Sequence, residues 1–346
     1  MDTRDTPEQA ELRRSARRLA RQLAPATVAD LDDATRAERL GAAVRDAGWL
    51  ELRDDAVDGA PLAGGAEAAI VAEALGAAVA DVAFCGPVLA ADLARRAGVG
   101  TTGDALVAFA PDLTDAAAVS VPVTTEPVVA VDGGESGSAY VLVPEDGGFR
   151  LGRIGIAGGA GGGADLTRRL QVVPAGAPVR PVDGQRRSLT ADDLAAWTAL
   201  GLALTSADLV GVMRGVLDLT VAYAAERRQY GVPVGSFQAV QHLLAEARCL
   251  MEGSFSVALY ASWAVDNRAP AEARSAGRVA KAYCSRAART VCETAVQVHG
   301  GIGNTWECMV HVYLRRALLS SQWFGDDGEH LHALQHERLG AGDGLP

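Results

Sequence analysis

Two short stretches of this 346-residue chain concentrate side chains able to grip a phosphate-bearing ligand. The first, RRQYGVPVGSFQ, runs from Arg227 to Gln238. It starts with a guanidinium at the end of one helical run, turns at Tyr230-Gly231, and ends with an amide at the start of the next helical run. A guanidinium offers a charged fork and an amide offers directional hydrogen bonds. Beside a helix N-terminus the two together suit a diphosphate. The second stretch, QVHGGIGNTWE, runs from Gln297 to Glu307. Its Gly300-Gly301 pair permits a left-handed backbone or the close approach of a ligand. Each stretch also has an ordinary structural explanation. Arg227 can cap helix carbonyls while Gln238 stays solvated, and Gly300-Gly301 can be the turn between two helices. His299 either touches a ligand or bonds carbonyls of its own helix. Arg315 and Arg316 either reach a phosphate or a partner carboxylate, or offset the negative end of their helix. The residues alone leave these choices open.

The elements that must position them fall into three zones, so the predicted fold is α+β and mostly α. Residues 1–103 read as an N-terminal helical domain. Thr6 to Gln9 form a capping box with a proline at the first helical position, followed by Leu12, Ala16, Leu19 and Leu23 on one face. A second helix carries Leu40 and Val44 and stops at Gly48, and two more follow in AEAAIVAEALG and GPVLAADLARRAG. Residues 104–188 read as a small middle β-domain, a modest barrel or sandwich. ALVAFA, EPVVAVD, AYVLVP, FRLGRI and LQVVP are short strands, with a hairpin turn at Glu145 to Gly148. GIAGGAGGGADLT reads as a surface loop, and DLTRR, Asp165 to Arg169, as a turn. Residues 189–346 read as an antiparallel four-helix bundle with short loops. Its first helix starts at Thr190 and is apolar nearly all round, as a central helix would be. The absence of βαβ repeats argues against a dinucleotide-binding parallel sheet.

Composition excludes several classes. The net charge is −11 with no long run of Lys or Arg, which disfavours nucleic acid and anionic membranes as partners. We find no uninterrupted apolar run long enough to cross a bilayer and no signal-type start. The five cysteines are scattered without a CxxC pair. They read as small reduced core residues of a cytoplasmic protein.

Taken together, the two stretches resemble the acyl-CoA dehydrogenase flavoproteins. The family pattern R-x-x-[FY]-G-x-x-[IV]-x-x-[FH]-Q is matched by Arg227, Tyr230, Gly231, Val234, Phe237 and Gln238. The pattern Q-x-x-G-G-x-G-x-x-x-E is matched by Gln297, Gly300, Gly301, Gly303 and Glu307. The resemblance implies FAD, with Arg227, Tyr230, Gln238, Gln297, Gly300 and Gly301 holding its pyrophosphate and adenine half across a subunit interface. It also implies an acyl-CoA substrate and an electron-transfer flavoprotein or similar acceptor.

The chain departs from the family where the chemistry is done. Removal of the α-proton needs a desolvated carboxylate beside the flavin. Family spacing puts that acid at Phe324, in WFGD, or in some members at Gly201; neither can accept a proton. The nearest acid is Asp326, either a displaced base or a helix cap. YLRRA stands where the family has an Arg-Asp pair, TTEP (Thr124 to Pro127) is only an echo of a flavin-contacting loop, and no tryptophan lies between Trp49 and Trp197. This asymmetry resembles the short subunit of the α2β2 heterotetrameric acyl-CoA dehydrogenases that act on steroid side-chain thioesters. The resemblance thus implies a larger homologous subunit that supplies the base. The alternatives are a self-sufficient homo-oligomer using Asp326, and a structural or regulatory homologue without redox chemistry.

Overall fold

Helices form where the sequence supplies their caps. In the computed structural model, which describes residues 3–56, 59–100, 105–133, 137–156 and 163–339, α1 spans Pro7–Leu23. The Thr6 side chain accepts from Gln9 N–H and the Gln9 side chain returns a bond to Thr6 N–H, so two otherwise orphaned donors are satisfied. Ala16 and Ala20 face the core, flanked by Leu12, Leu19 and Leu23. Helix α2 (Ala34–Asp46) buries Leu40 and Val44 and ends ahead of Gly48, whose φ of +68° is the left-handed conformation that stops a helix. Helices α3 (Gly65–Ala77) and α4 (Cys85–Arg96) follow.

Strands β1 (Ala105–Phe109), β2 (Val128–Val131), β3 (Ser138–Glu145), β4 (Gly148–Gly155), β5 (Leu170–Val173) and β6 (Arg180–Pro181) come next. The β3–β4 hairpin turns at Asp146-Gly147, as anticipated. The expected barrel or sandwich is not what forms. These strands make one open six-stranded sheet, ordered β5-β2-β1-β3-β4-β6, with β1–β3 its parallel pair. The reason lies in the period-2 alternation of β1 and in the loops. Val107 and Phe109 turn toward the helices, while Leu106 and Ala108 turn the other way. That second face is closed by Ala117, Val119 and Val179, from irregular segments that bridge back onto the sheet at Ala118–Leu142 and Val123–Pro178. No second sheet is needed to bury it. Most of the glycine-rich loop anticipated after β4 (157–162) lies outside the described residues.

Helix α5 (Ala191–Glu226) begins at a Thr190–Asp193 capping box. It packs against α3 and α4 and against α6 (Gln238–Asn267), α7 (Pro270–His299) and α8 (Val310–Gln322). Among the described residues α5 is the one helix long and apolar enough on average to pass as a membrane span, although Asp208 interrupts its apolar run, and 89% of its most apolar window is buried inside the fold. A further helix, α9 (Asp327–Leu339), follows, anticipated only through the reading of Asp326 as a helix cap. It docks on α7 through Arg278–Glu337 and Arg286–Asp327 ion pairs. Cys85, Cys284 and Cys292 are buried as expected, whereas Cys249 is exposed and Cys308 half-buried.

Candidate functional site

The two motifs meet at one end of the bundle. Arg227 closes α5, and its carbonyl accepts from Val234 N–H at 2.8 Å. Between them lies a minimal hairpin, β7 (Arg228–Gln229) and β8 (Val232–Pro233). Tyr230 and Gly231 both have positive φ, +52° and +83°, the signature of a type I′ turn. The turn presents Tyr230 to solvent at 95% exposure. A single short turn later, Gln238 opens α6, whose N-terminus has no side-chain cap. The second motif is tied on by Tyr223, one helical turn before Arg227. Its ring stacks on His299 at 4.2 Å and its hydroxyl donates to the His299 carbonyl. His299 itself faces the Ala295 carbonyl through Nδ1 at 2.9 Å, the structural role left open by the sequence.

What this end leaves unused is informative. Arg227, Gln238 and Gln297 are exposed, and none of their side chains makes a hydrogen bond or ion pair among the described residues. Gly300 adopts φ +65°, ψ −143°, a region that side chains rarely enter. A Cβ on Gly300 or Gly301 would meet nothing within 4 Å. A guanidinium, two amides and a bare backbone therefore border open space beside an uncapped helix N-terminus. In its chemistry that donor set is of the kind a diphosphate takes.

The two positions where family spacing would put an acid, Gly201 and Phe324, are packed against each other. A Cβ added to Gly201 would sit 2.1 Å from Phe324 Cζ. Phe324 is held at φ +67° and is 3% exposed. Its N–H donates to the Leu113 carbonyl at 2.9 Å, which clamps the loop after β1 onto the α8–α9 loop. Around its ring stand Phe109 (5.1 Å, edge-on), Trp197 (5.2 Å) and Trp323 (5.9 Å). Four aromatic rings thus occupy the junction of sheet and bundle. The displaced-base candidate is also committed. Asp326 Oδ1 accepts from Glu329 N–H at 2.8 Å while Asp326 N–H donates to Glu329 Oε2 at 2.9 Å, a capping box that starts α9. Thr124 of the TTEP echo spends its hydroxyl on Pro174 O and Ala177 N–H, in the loop that follows β5.

Sequence reasoning missed a buried ionic cluster at the same junction. Arg316 donates to Asp208 Oδ1 at 2.7 Å, to the Ala80 carbonyl and to Thr167 Oγ1. Arg168, from the supposed turn DLTRR, lies 3.1 Å from Asp208 and 3.6 Å from Asp132, and donates to Ser320 Oγ. Arg316 therefore reaches neither a phosphate nor a partner; Asp208 on α5 is its counter-charge. The signal was there in the Arg-Arg pair where the family carries Arg-Asp: a reversed charge in a core needs a new carboxylate. Burial works against both acids, yet Arg168 and Arg316 hold Asp208 below the usual carboxylate range, while burial wins at Asp132 and raises it. Beside the cluster, Lys281 is fully buried, its Nζ donating to the Ser320 carbonyl. Burial drives its pKa down to about 7.

Comparison with known proteins places this geometry. Residues 199–338 match the acyl-CoA dehydrogenase C-terminal domain. The acyl-CoA dehydrogenase IpdE2 of Mycolicibacterium smegmatis is 34% identical over 173 residues, covering 50% of this chain and 50% of that protein. FadE34 of Mycobacterium tuberculosis is 37% identical over 163 residues, 47% of this chain and 22% of that protein. The match thus spans half or less of these relatives' own length. Over the whole chain the likeness is one of fold. A chain of the ChsE4-ChsE5 complex from Mycobacterium tuberculosis superposes with a TM-score of 0.83 at 22% identity, covering 99% of this chain and 100% of that one. A chain of the Tcur3481-Tcur3483 steroid acyl-CoA dehydrogenase gives 0.78 at 21% identity, with coverage of 94% and 96%. Residues 199–338 thus match the acyl-CoA dehydrogenase C-terminal domain in sequence, and the chain as a whole shares the fold of these solved structures.

Proposed function

We propose that this chain is the short subunit of a heteromeric, FAD-dependent acyl-CoA dehydrogenase. In this reading Arg227, Tyr230, Gln238, Gln297, Gly300 and Gly301 hold the ADP half of FAD at the interface with a larger homologous subunit, and that subunit supplies the base. The observation that carries it is the Gly201–Phe324 contact. Neither base position holds an acid, and the phenyl ring fills the place where one would project. FAD, when bound, would accept the hydride from the β-carbon of the acyl thioester. This chain's part is to grip the diphosphate and to seal its own cleft with aromatic rings, so that no acyl group enters here. Electrons would leave to an electron-transfer flavoprotein or similar acceptor.

Two further observations support the reading. Val221, Tyr230, Val232, Phe237 and Ile302 are exposed around the same end, an apolar surface of the kind a partner covers. The similar ChsE4-ChsE5 complex is, by its name, an assembly of two different chains. The name of the Tcur3481-Tcur3483 enzyme points to a steroid thioester as the substrate class. The domain division at 1–103, 104–188 and 189–346 belongs to this proposal, with the last unit forming the interface. The test is expression alone and with the larger homologue. Alone, the chain should show no acyl-CoA-driven bleaching of flavin absorbance. Together they should copurify with one FAD per pair of subunits. Bleaching by the isolated chain would refute the proposal.

A further inference from the structure

Of the five tryptophans, four are buried or half-buried, whereas Trp306 is 64% exposed. It lies on the connection that runs on from the Gly300-Gly301 turn, and its indole is held in place. The Arg315 guanidinium sits 5.5 Å from the ring centroid and is itself fixed by a bond to the Ala164 carbonyl at 3.0 Å. His311, in the first turn of α8, meets the indole edge-on at 5.1 Å. His311 is only 8% exposed, yet neither of its ring nitrogens finds a hydrogen-bond partner among the described residues. A buried imidazole left with both nitrogens unpaired marks a site completed by another molecule. An exposed flat ring backed by a cation, with an unpaired polar group at its edge, has the make-up of a nucleobase platform, since every base offers a π-face to stack on.

We propose that Trp306, braced by Arg315, is the stacking surface for the adenine of FAD, and that His311 supplies the polar group at its edge. This rests on the ADP half-site assigned above and extends it beyond the two family motifs. A patch that merely docks the partner chain is the competing account. It explains the exposure of Trp306 but gives no part to the Arg315 guanidinium held against the ring.

The complex of this chain with its larger partner, stripped of flavin, is the material for the test. FAD is titrated by the change in flavin fluorescence, and ADP is used as a competitor. Trp306→Ala should weaken FAD binding about 5- to 150-fold, the range expected for loss of one base stack, and should raise the ADP inhibition constant by a similar factor. Trp306→Phe, which keeps a stacking ring, should recover most of both. The proposal is overturned if Trp306→Ala leaves FAD and ADP affinity unchanged while Arg227→Ala weakens them. It is also overturned if Trp306→Ala weakens subunit association alone, which would assign the indole to the partner chain. If neither variant alters FAD affinity, the ADP half-site itself falls.

Discussion

Gly201 and Phe324 offer a quantitative check on the sealed cleft. A methyl group at position 201 would approach Phe324 Cζ to 2.1 Å and Cε1 and Cε2 to 2.5 Å. Carbon atoms rest at roughly 3.5–4.0 Å, so the ring would have to retreat by more than 1 Å, on the order of a full overlap. Phe109, Trp197 and Trp323 leave it little room to do so. Gly201→Ala should therefore cost about 3 kcal/mol, the upper part of the range for an overpacked core. That cost should appear even though alanine is the better helix former by roughly 0.5–1 kcal/mol. Phe324→Ala should cost about 3–5 kcal/mol through the cavity it leaves. In the double variant the new methyl group enters that cavity, so the two losses should fall short of their sum by about 3 kcal/mol. Urea unfolding followed by tryptophan fluorescence would measure this, since Trp197 and Trp323 line the plug. Additive losses, or a Gly201→Ala penalty below about 0.5 kcal/mol, would refute the packing described for the cleft, because such values belong to sites without a shared contact.

Other consequences follow from the same junction. Lys281 loses its proton near pH 7 when folded but near pH 10.5 when unfolded, so across that window the unfolded chain binds more protons and stability should rise with pH. Lys281→Met should flatten that rise in unfolding midpoints measured from pH 7 to 10. Asp208→Asn strips Arg168 and Arg316 of their shared carboxylate and should cost about 3–5 kcal/mol, read as a lower urea midpoint. Asp326→Asn keeps an acceptable cap and should leave the dehydrogenase activity of the complex unchanged; a large loss of turnover would reinstate Asp326 as the base.

Much of the fold was legible because its signals are local. The Thr6 and Thr190 capping boxes, Gly48 and the Asp146-Gly147 turn each act over a few residues, and the α5–α8 runs are long enough to declare themselves. Helix α9 was legible only in its cap, Asp326: among its residues only His330 and Leu334 are buried, too thin an apolar stripe to read as a helix. The single sheet was hidden for another reason. Which loop covers the face of Leu106 and Ala108 depends on contacts distant in sequence. The motifs named the residues at this end of the bundle, but only the Tyr223–His299 stack shows how two segments so far apart are tied together. The convergence of Gly201 and Phe324 left no local trace, and neither did the bond from Phe324 N–H to Leu113.

That convergence has a consequence for the history open to the chain. An acid introduced at position 201 alone would collide with the phenyl ring. An acid introduced at position 324 alone would be enclosed by three aromatic rings, in a cleft too dry to keep it charged and too full to admit a thioester. A lone substitution at either position lowers stability before it can confer any catalytic gain. The contact works as a ratchet: with the ring in place, a carboxylate at either position can be accommodated only through several coordinated changes.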